Sequence, residues 1–232
     1  MDLIWRGLVE GVRLLMRGDR EVLEITWLTL KVSGVATLVS LAIGVPLGLF
    51  LAVARFRFRR AAVGAVNTGM GLPPTVVGLW VSLFFWRNGP FGGLGLMYSP
   101  SAMVIAQTII AAPVVTGLVM ASVQQLSPRL SQQITALGAS PSQFWWLILR
   151  ECRFGVLAAV MAGFGAVVSE VGASMAVGGN IRFQTRVLTT SIVSEVGKGN
   201  FDIAIALSFV LMTISYGLTF LLTVVQQRRA RS

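Results

Sequence analysis

Few side chains in this chain are of the kinds that carry out catalysis. The 232 residues include no histidine, which excludes histidine-based acid–base catalysis and histidine-ligated metal sites. The single cysteine, Cys152, cannot form an intrachain disulfide or a cysteine cluster. An enzyme would have to work with nine acidic residues, hydroxyls, lysines, arginines and two tyrosines. These residue types argue against catalysis by the chain itself.

The composition is that of a membrane protein. Hydrophobic residues make up 55% of the sequence and charged residues 12%, whereas a typical soluble domain is about 25% charged. The mean hydropathy of +0.78 leaves too few polar groups to cover a water-facing surface. The net charge of +10 would suit a nucleic-acid-binding protein. The positions of the basic residues indicate membrane topology instead, and no nucleic-acid partner is expected.

Five apolar stretches are long enough to cross a bilayer. A hydrocarbon core about 30 Å thick needs about 20 apolar residues in a helix. Glu170 is the only charged residue within these stretches, and an odd number of spans puts the two termini on opposite sides. The sequence predicts an all-α membrane protein with spans near residues 32–54, 61–86, 101–123, 154–177 and 203–227.

Residues 1–24 have a different pattern. Ile4, Leu8, Val12 and Leu15 recur at helical spacing, and charged residues stand between them. The segment is too charged for the core of a signal peptide. It predicts an amphipathic helix that lies in the membrane interface.

Lysine and arginine in the loops indicate the orientation. A cluster of four arginines follows the first span directly, and cytoplasmic loops are enriched in such residues. We therefore expect the N-terminus outside and the C-terminus, with a basic tail at residues 228–232, in the cytoplasm. The basic residues expected on the cytoplasmic side are Arg55, Arg57, Arg59, Arg60, Arg129, Arg150, Arg153, Arg228, Arg229 and Arg231.

Three of the five spans contain helix-breaking residues. Pro46 lies in the first, the Gly71–Thr75 segment with its two prolines in the second, and Pro113 in the third. Breaks in lipid free backbone groups that protein or cavity water must satisfy, so they are typical of a pathway or a gate. Proline and glycine are also common in membrane helices generally. Their recurrence favours a transport protein over a passive anchor.

The loop between the third and fourth spans, residues 124–153, has the pattern of two short helices. The first covers Ser131–Leu137 and ends at Gly138. Ser140 is placed to cap the second helix, with Pro141 at its first position. That second helix is too apolar to face water freely, so we expect a docking surface for a cytoplasmic partner.

This loop resembles a segment found in one family of transport proteins. The Leu137–Pro141 segment, with Ile148 ten residues after Gly138, is similar to the "EAA" loop of binding-protein-dependent ABC importer permeases. Gln132, Gln133 and Ile134 stand where that loop has Glu-Ala-Ala. The resemblance covers roughly residues 26–227. Segments that resemble the oxyanion-importing members, most closely the tungstate permeases, are Glu170–Ile181, Thr185–Ser191 and Glu195–Phe201.

The resemblance implies a subunit composition. It implies a homodimer of this chain, two cytoplasmic ATPase subunits and an extracytoplasmic binding protein, in a bacterial or archaeal plasma membrane. The chain has no Gly-x-x-x-x-Gly-Lys-Ser/Thr sequence, so ATP and Mg²⁺ are expected on the ATPase partners and no cofactor here. Residues 25–227 would form the transmembrane domain.

The resemblance also implies two sets of functional residues. The residues expected to couple to the ATPase are Leu137, Gly138, Ala139, Ser140, Pro141, Phe144 and Ile148. A doubly charged oxyanion needs hydrogen-bond donors along its path. The candidates for that path are Thr75, Thr116, Ser169, Ser174, Asn180, Arg182 and Arg186.

Several alternatives stay open at this point. Arg182 and Arg186 could lie in a solvated loop or contact the binding protein rather than the ion. Glu170 would repel an anion, so we expect it to pair with a basic residue or cap a helix. Molybdate or sulfate could replace tungstate as the substrate, and an ion-coupled secondary transporter and a membrane-embedded enzyme are the other classes considered.

Overall fold

The computed structural model describes Val9 and residues 19–230. Over residues 19–230 the chain forms helices and turns, with a short 3₁₀ turn at Gly92–Leu94 and no strand, so the predicted all-α class is confirmed. In chain order the helices of this part are α1 (Arg20–Val53), α2 (Arg59–Met70), α3 (Pro74–Phe85), α4 (Pro100–Gln124), α5 (Pro128–Ala136), α6 (Pro141–Glu151), α7 (Arg153–Val168), α8 (Gly172–Gly178), α9 (Leu188–Gly197) and α10 (Phe201–Ala230).

Helix α1 begins earlier than the first predicted span. The Asp19 side chain accepts a hydrogen bond from the backbone N–H of Val22 at 3.1 Å, which caps the helix. The helix then continues through Pro46 to its end. Residues 20–24, which the pattern assigned to the interfacial segment, are therefore the first turns of α1, because the cap starts the helix there. The stripe Ile4, Leu8, Val12 and Leu15 lies outside the described residues.

Helices α1 and α4 pack side by side and run parallel. The Ser40 hydroxyl donates to the Thr108 carbonyl oxygen at 3.4 Å. Two turns later, a Cβ added to Gly48 would lie 2.7 Å from the Thr116 carbonyl oxygen, so the backbones are in close contact. Because residue numbers rise together along both helices, the chain has to cross back between them.

The chain crosses back through a bent pair of helices. Helices α2 and α3 make an angle of 102° at the break between Met70 and Pro74. Pro73 and Pro74 lack an N–H, and Pro74 occupies the first turn of α3, where no intrahelical bond is lost. The second predicted span, 61–86, is thus interrupted where its proline motif indicated. Pro113, by contrast, lies inside α4 without ending it.

The fourth predicted span, 154–177, is two helices rather than one. Helix α7 ends at Val168 and α8 begins at Gly172. Between them, the Glu170 carboxylate accepts a hydrogen bond from the Ala173 N–H at 2.8 Å. A side chain thereby replaces the carbonyl acceptor that an unbroken helix would supply. Hydropathy did not reveal this break because the flanking residues stay apolar.

The described helices allow between three and five spans. In the described part, α1, α4 and residues 201–224 of α10 are each long and apolar enough to cross a membrane. The bent pair α2–α3 and the pair α6–α7, bent by 68°, raise the number to five when each pair is taken as one span. Which end of the bundle faces the cytoplasm stays a prediction from the loop charges.

Contacts group the loops at two ends of the bundle. At one end, Arg55 and Arg59 after α1 share a cavity with Ile148 of α6. At the other end, Glu21 near the start of α1 pairs with Arg182 in the loop after α8. The predicted grouping of these loops by side agrees with these contacts. We call the first the coupling-loop end and the second the Glu21 end.

The close approach of α1 and α4 predicts unequal effects of two matched substitutions in α1. We expect Gly48→Ala to destabilise the fold by about 1–3 kcal/mol, because its Cβ would collide with α4 backbone. Gly34→Ala should be neutral or slightly stabilising, since no atom lies within 4 Å of an added Cβ. Thermal unfolding of the purified variants in detergent measures both. Equal midpoints for the two variants would contradict the packing described here.

Candidate functional site

The predicted coupling loop is a helix–glycine–helix unit. Helix α5 ends at a left-handed Gly138 (φ +74°), whose N–H donates to the Thr135 carbonyl oxygen at 3.0 Å. Ser140 caps α6 in a reciprocal arrangement: its hydroxyl accepts from the Gln143 N–H at 3.4 Å, and its own N–H donates to Gln143 Oε1 at 2.8 Å. Pro141 occupies the first turn of α6. The predicted cap and proline position are both present.

The predicted coupling residues divide between displayed and anchoring positions. Leu137 is 87% exposed, and Gly138, Ser140 and Pro141 are exposed with it. Ala139 and Phe144 are half-buried. Ile148 is only 1% exposed and packs in a cluster with residues of α1, α4 and α7. Ile148 therefore anchors the loop to the membrane helices and is not itself available to a partner.

Helices α3 and α8 form a closely packed parallel pair. A Cβ added to Gly78 would lie 2.6 Å from the Ala173 Cα, and the Ser82 hydroxyl donates to the Ala176 carbonyl oxygen at 3.1 Å. The two helices begin at the same level, because a Cβ on Gly172 would lie 2.4 Å from the Thr75 side chain. The break between α2 and α3 therefore lies beside the break between α7 and α8. We call this place the junction.

Two of the predicted path residues lie at this junction. Thr75 is exposed in the first turn of α3, a helix whose N-cap residue makes no side-chain cap. Ser169 is exposed just after α7 and donates to the Gly165 carbonyl oxygen at 2.8 Å. Glu170, 8% exposed, caps α8, which is one of the two roles expected for it. The N-terminus of a helix favours an anion, and at α8 the Glu170 carboxylate already occupies that position.

Two other predicted path residues are buried. Thr116 is 2% exposed, and its hydroxyl donates to the Ala112 carbonyl oxygen of its own helix at 2.7 Å. Ser174 is fully buried and accepts a hydrogen bond from Gln107 Nε2 at 3.1 Å. Both hydroxyls are thus used inside the helix bundle, so this conformation does not present them to a passing ion.

Asn180 lies in the tight turn that follows α8. Its φ of +51° and that of Gly179 (+70°) reverse the chain at the end of the helix. Thr185 holds this turn, because its hydroxyl donates to the Gly178 carbonyl oxygen at 2.5 Å and accepts from the Ile181 N–H at 3.0 Å. Asn180 Oδ1 is buried and has no hydrogen-bond partner within the described residues.

Arg182 and Arg186 share one carboxylate partner, Glu21, at the Glu21 end. Arg182 pairs with Glu21 through two N–H groups, and Arg186 Nη1 lies 3.6 Å from Glu21 Oε1. This pairing raises the pKa of the Arg182 guanidinium. A cavity of about 480 Å³ opens beside them. The two arginines come together, but not as free cations.

The same cavity carries further balanced charge. Glu195 accepts hydrogen bonds from Asn200 Nδ2 at 2.8 Å and Lys198 Nζ at 2.6 Å. These two partners, the amide first, lower the pKa of the Glu195 carboxyl. Ser191 Oγ and Arg186 Nε are buried there without a hydrogen-bond partner in the described part of the chain.

The sequence matches a known protein family. Residues 44–231 match the family described as "Binding-protein-dependent transport system inner membrane component". The chain belongs to this family. It is therefore a multi-pass membrane protein, in agreement with the apolar helices and with the resemblance of the Gly138 loop.

Relatives of this permease are named as permease proteins of anion, tungstate and molybdenum transport systems. A "Probable anion ABC transporter permease protein" from Haloferax volcanii is 37% identical over 86% of this chain and 88% of its own length. A "Tungstate uptake system permease protein TupB" from Peptoclostridium acidaminophilum is 35% identical over 98% of this chain and all of the relative. A "Molybdenum transport system permease protein ModB" from Azotobacter vinelandii is 29% identical over 73% of this chain and 78% of its own.

Solved structures share the fold of this permease. A chain of the inward-facing MetNI methionine ABC transporter superposes with a TM-score of 0.70 at 21% identity, over 94% of this chain and 97% of that one. A bacterial ABC transporter for the acidic polysaccharide alginate gives a TM-score of 0.77 at 16% identity, over 94% of this chain and 82% of that one. At these identities the likeness concerns the fold.

Sequence reasoning missed some residues of the permease's candidate sites. Trp146 is 57% exposed on α6, with the Arg150 guanidinium 5.3 Å above its ring, so it belongs to the displayed surface of the loop. The sequence signal was that Trp146 directly follows Trp145. Adjacent residues of a helix lie on different faces, so both could not be buried against the same neighbour. Glu21 and Gln107 are recruited from distant segments, and no local pattern marks them.

The cap of α8 predicts a difference between two substitutions of Glu170. Glu170→Ala removes the acceptor for the Ala173 N–H and should destabilise the permease by about 1 kcal/mol. Glu170→Gln keeps an oxygen acceptor without the charge, so its stability should stay close to that of the wild type. Thermal unfolding in detergent distinguishes them. If the Gln variant lost as much stability as the Ala variant, the carboxylate would be acting through its charge and not as a cap.

Proposed function

We propose that this chain is the membrane-spanning permease subunit of an ATP-driven oxyanion importer, with tungstate as its substrate. The observation that carries the proposal is the 35% identity with the tungstate uptake permease of Peptoclostridium acidaminophilum, which extends over 98% of this chain and all of the relative. The 33% identity with a second tungstate uptake permease, from Campylobacter jejuni, supports it. Identity falls to 29% for the molybdenum permease and 24% for a Synechocystis sulfate permease.

The proposed transporter has several subunits. Two copies of this chain form the pore, two ATPase subunits bind ATP and Mg²⁺, and an extracytoplasmic binding protein delivers the ion. This chain binds no nucleotide and needs no cofactor. Its contribution is the pathway and the loop through which the ATPases act.

The coupling loop is built to transmit force. The displayed segment Leu137–Pro141 enters a groove on the ATPase subunit, while Ile148 holds α6 against the membrane helices. Because the buried anchor and the exposed tip belong to one short helical unit, movement of the tip displaces α6. Helix α6 continues through its 68° bend into α7, which leads to the break at Ser169.

The ion path runs past the junction of the two breaks. Thr75 offers an exposed hydroxyl there. The Ser169 hydroxyl is also exposed, and it has to leave the Gly165 carbonyl oxygen in order to donate to an ion. Arg182 and Arg186 lie at the Glu21 end and pair with Glu21. A docked binding protein, or the ion itself, competes with Glu21 for these two arginines. Thr116, Ser174 and Asn180 join the path only if the helices rearrange.

Ion uptake by the complete complex tests this function. Vesicles that contain permease, ATPase and binding protein should accumulate labelled tungstate only when ATP is present on the ATPase side. Unlabelled tungstate should compete best, molybdate less and sulfate least. Uptake that followed an ion gradient without ATP would make the chain a secondary transporter, and stronger competition by molybdate would reassign the substrate.

Gly138 gives a specific prediction for coupling. A Cβ at Gly138 meets no atom of this chain within 4 Å, so a side chain there would obstruct a partner rather than the fold. The left-handed backbone adds a strain of about 1–2 kcal/mol. Gly138→Asp should therefore insert into the membrane normally but lose ATPase co-purification and uptake.

Gly199 provides the matched control for this variant. It is also left-handed (φ +80°), also has open space around an added Cβ, and lies outside the coupling loop. Gly199→Asp should therefore insert and retain the ATPase. Normal ATPase co-purification with Gly138→Asp would refute the assignment of the coupling loop.

A further inference from the structure

A second charged cavity lies at the coupling-loop end of the bundle. It has a volume of about 500 Å³ and opens between the end of α1, the start of α2 and the connection from α4 to α5. Arg55 and Arg59 supply positive charge to its wall, and Gln124, Ser127 and Gln132 supply polar groups. None of the described residues that line it is acidic.

The arginines around this cavity lack a carboxylate partner in the described part of the chain. Arg55, Arg57, Arg59 and Arg60 follow one another closely, and none of them pairs with a carboxylate among the described residues. Arg59 donates its Nε–H to the Leu51 carbonyl oxygen at 2.8 Å, which fixes the position of the guanidinium. Its other N–H groups are not used in this bond and can donate to a ligand. At the Glu21 end, by contrast, Arg182, Arg186 and Lys198 have carboxylate partners. The positive charge of these arginines attracts an anion from outside the chain.

The rest of the wall is apolar and lies at a membrane boundary. Ala52, Val53, Val123 and Leu126 line the cavity beside the arginines. Just outside, the rings of Phe50 and Phe56 stack at 5.7 Å, and the Arg57 guanidinium lies 5.8 Å from the Phe58 ring centre. Phe56 and Phe58 are exposed and follow α1 directly, where the apolar stretch of the first span ends. An anion bound here would therefore meet both charge and hydrocarbon.

We propose that this cavity binds the phosphate headgroup of an anionic phospholipid. Arg55 and Arg59 hold the phosphate through charge-assisted hydrogen bonds, and the apolar wall receives the glycerol and the start of the acyl chains. A free phosphate ion would use the arginines but not the apolar wall, which is why a lipid is favoured.

A lipid bound in this cavity would also contact the coupling loop. Gln132 of α5 and Ile148 of α6 line the same cavity as Arg55 and Arg59. The bound headgroup thus bridges the end of the first span and the unit that carries Gly138. Occupancy of the cavity fixes the loop relative to α1 before any ATPase docks.

Two double variants with equal charge test the site. Arg55→Gln with Arg59→Gln removes the arginines that line the cavity, and Arg57→Gln with Arg60→Gln removes two neighbours that do not. Full-chain permease is placed in phosphatidylcholine nanodiscs with a minor fraction of phosphatidylglycerol, and retained lipid is measured by native mass spectrometry. Thermal unfolding in phosphatidylcholine alone checks that both variants fold.

The expected result is a difference between the variants. Both should lose some phosphatidylglycerol through reduced membrane electrostatics, but the cavity variant should lose at least about tenfold more affinity, because it alone loses direct hydrogen bonds. If the Arg59 change prevents folding, Arg55→Gln against Arg57→Gln makes the same comparison.

Four outcomes would overturn the proposal. Equal losses in the two double variants would mean diffuse attraction to the membrane, and no preference over phosphatidylcholine would mean no anion site. Displacement of the lipid by millimolar inorganic phosphate would assign the site to a free anion. Loss of ATPase co-purification in the cavity variant, with phosphatidylglycerol retention unchanged, would make the arginines a contact for the ATPase.

Discussion

A backbone group freed by a helix break inside a bilayer finds no water, and this constraint shapes the whole bundle. Polar side chains supply the missing partners around α8 and α9. Glu170 accepts from the first turn of α8, and Thr185 donates to the carbonyl oxygen at its end. Thr29, from the distant α1, accepts the first N–H of α9 at 2.9 Å. Because these partners come from several segments, the broken helices are stable only in the assembled fold.

The same constraint limits which polar groups can serve transport. Most hydroxyls in the bundle already bond a backbone carbonyl, as Thr116 does within α4, or another buried side chain, as Ser174 does with Gln107. Of the four hydroxyl residues predicted for the path, Thr75 and Ser169 stay accessible, and they lie where the two breaks meet. An ion path in such a protein is therefore set less by the number of polar residues than by which of them the fold has left exposed. Transport then requires the helices around the junction to move.

The two ends of the bundle handle charge differently. At the Glu21 end, carboxylates compensate the cations and tie α1 to the loops around α8 and α9. At the other end, the arginines after α1 find no carboxylate among the described residues and lie beside the coupling loop. Paired charges hold segments of one chain together, whereas unpaired charges attract a membrane surface or a partner. This asymmetry fits a subunit that receives its substrate at one end and its energy at the other.

The class of the protein follows from the sequence alone, because hydropathy, span length and the Gly138–Pro141 signals are local properties. It indicated the interruption of the second span by prolines and the cap at Ser140, each set within a few residues. The folded structure was needed to show that Ile148 is an anchor, that Glu170 caps α8 within the fourth span, and that Glu21 pairs with two arginines. These outcomes depend on contacts between residues far apart in the chain, and no local pattern encodes which buried group will meet which partner.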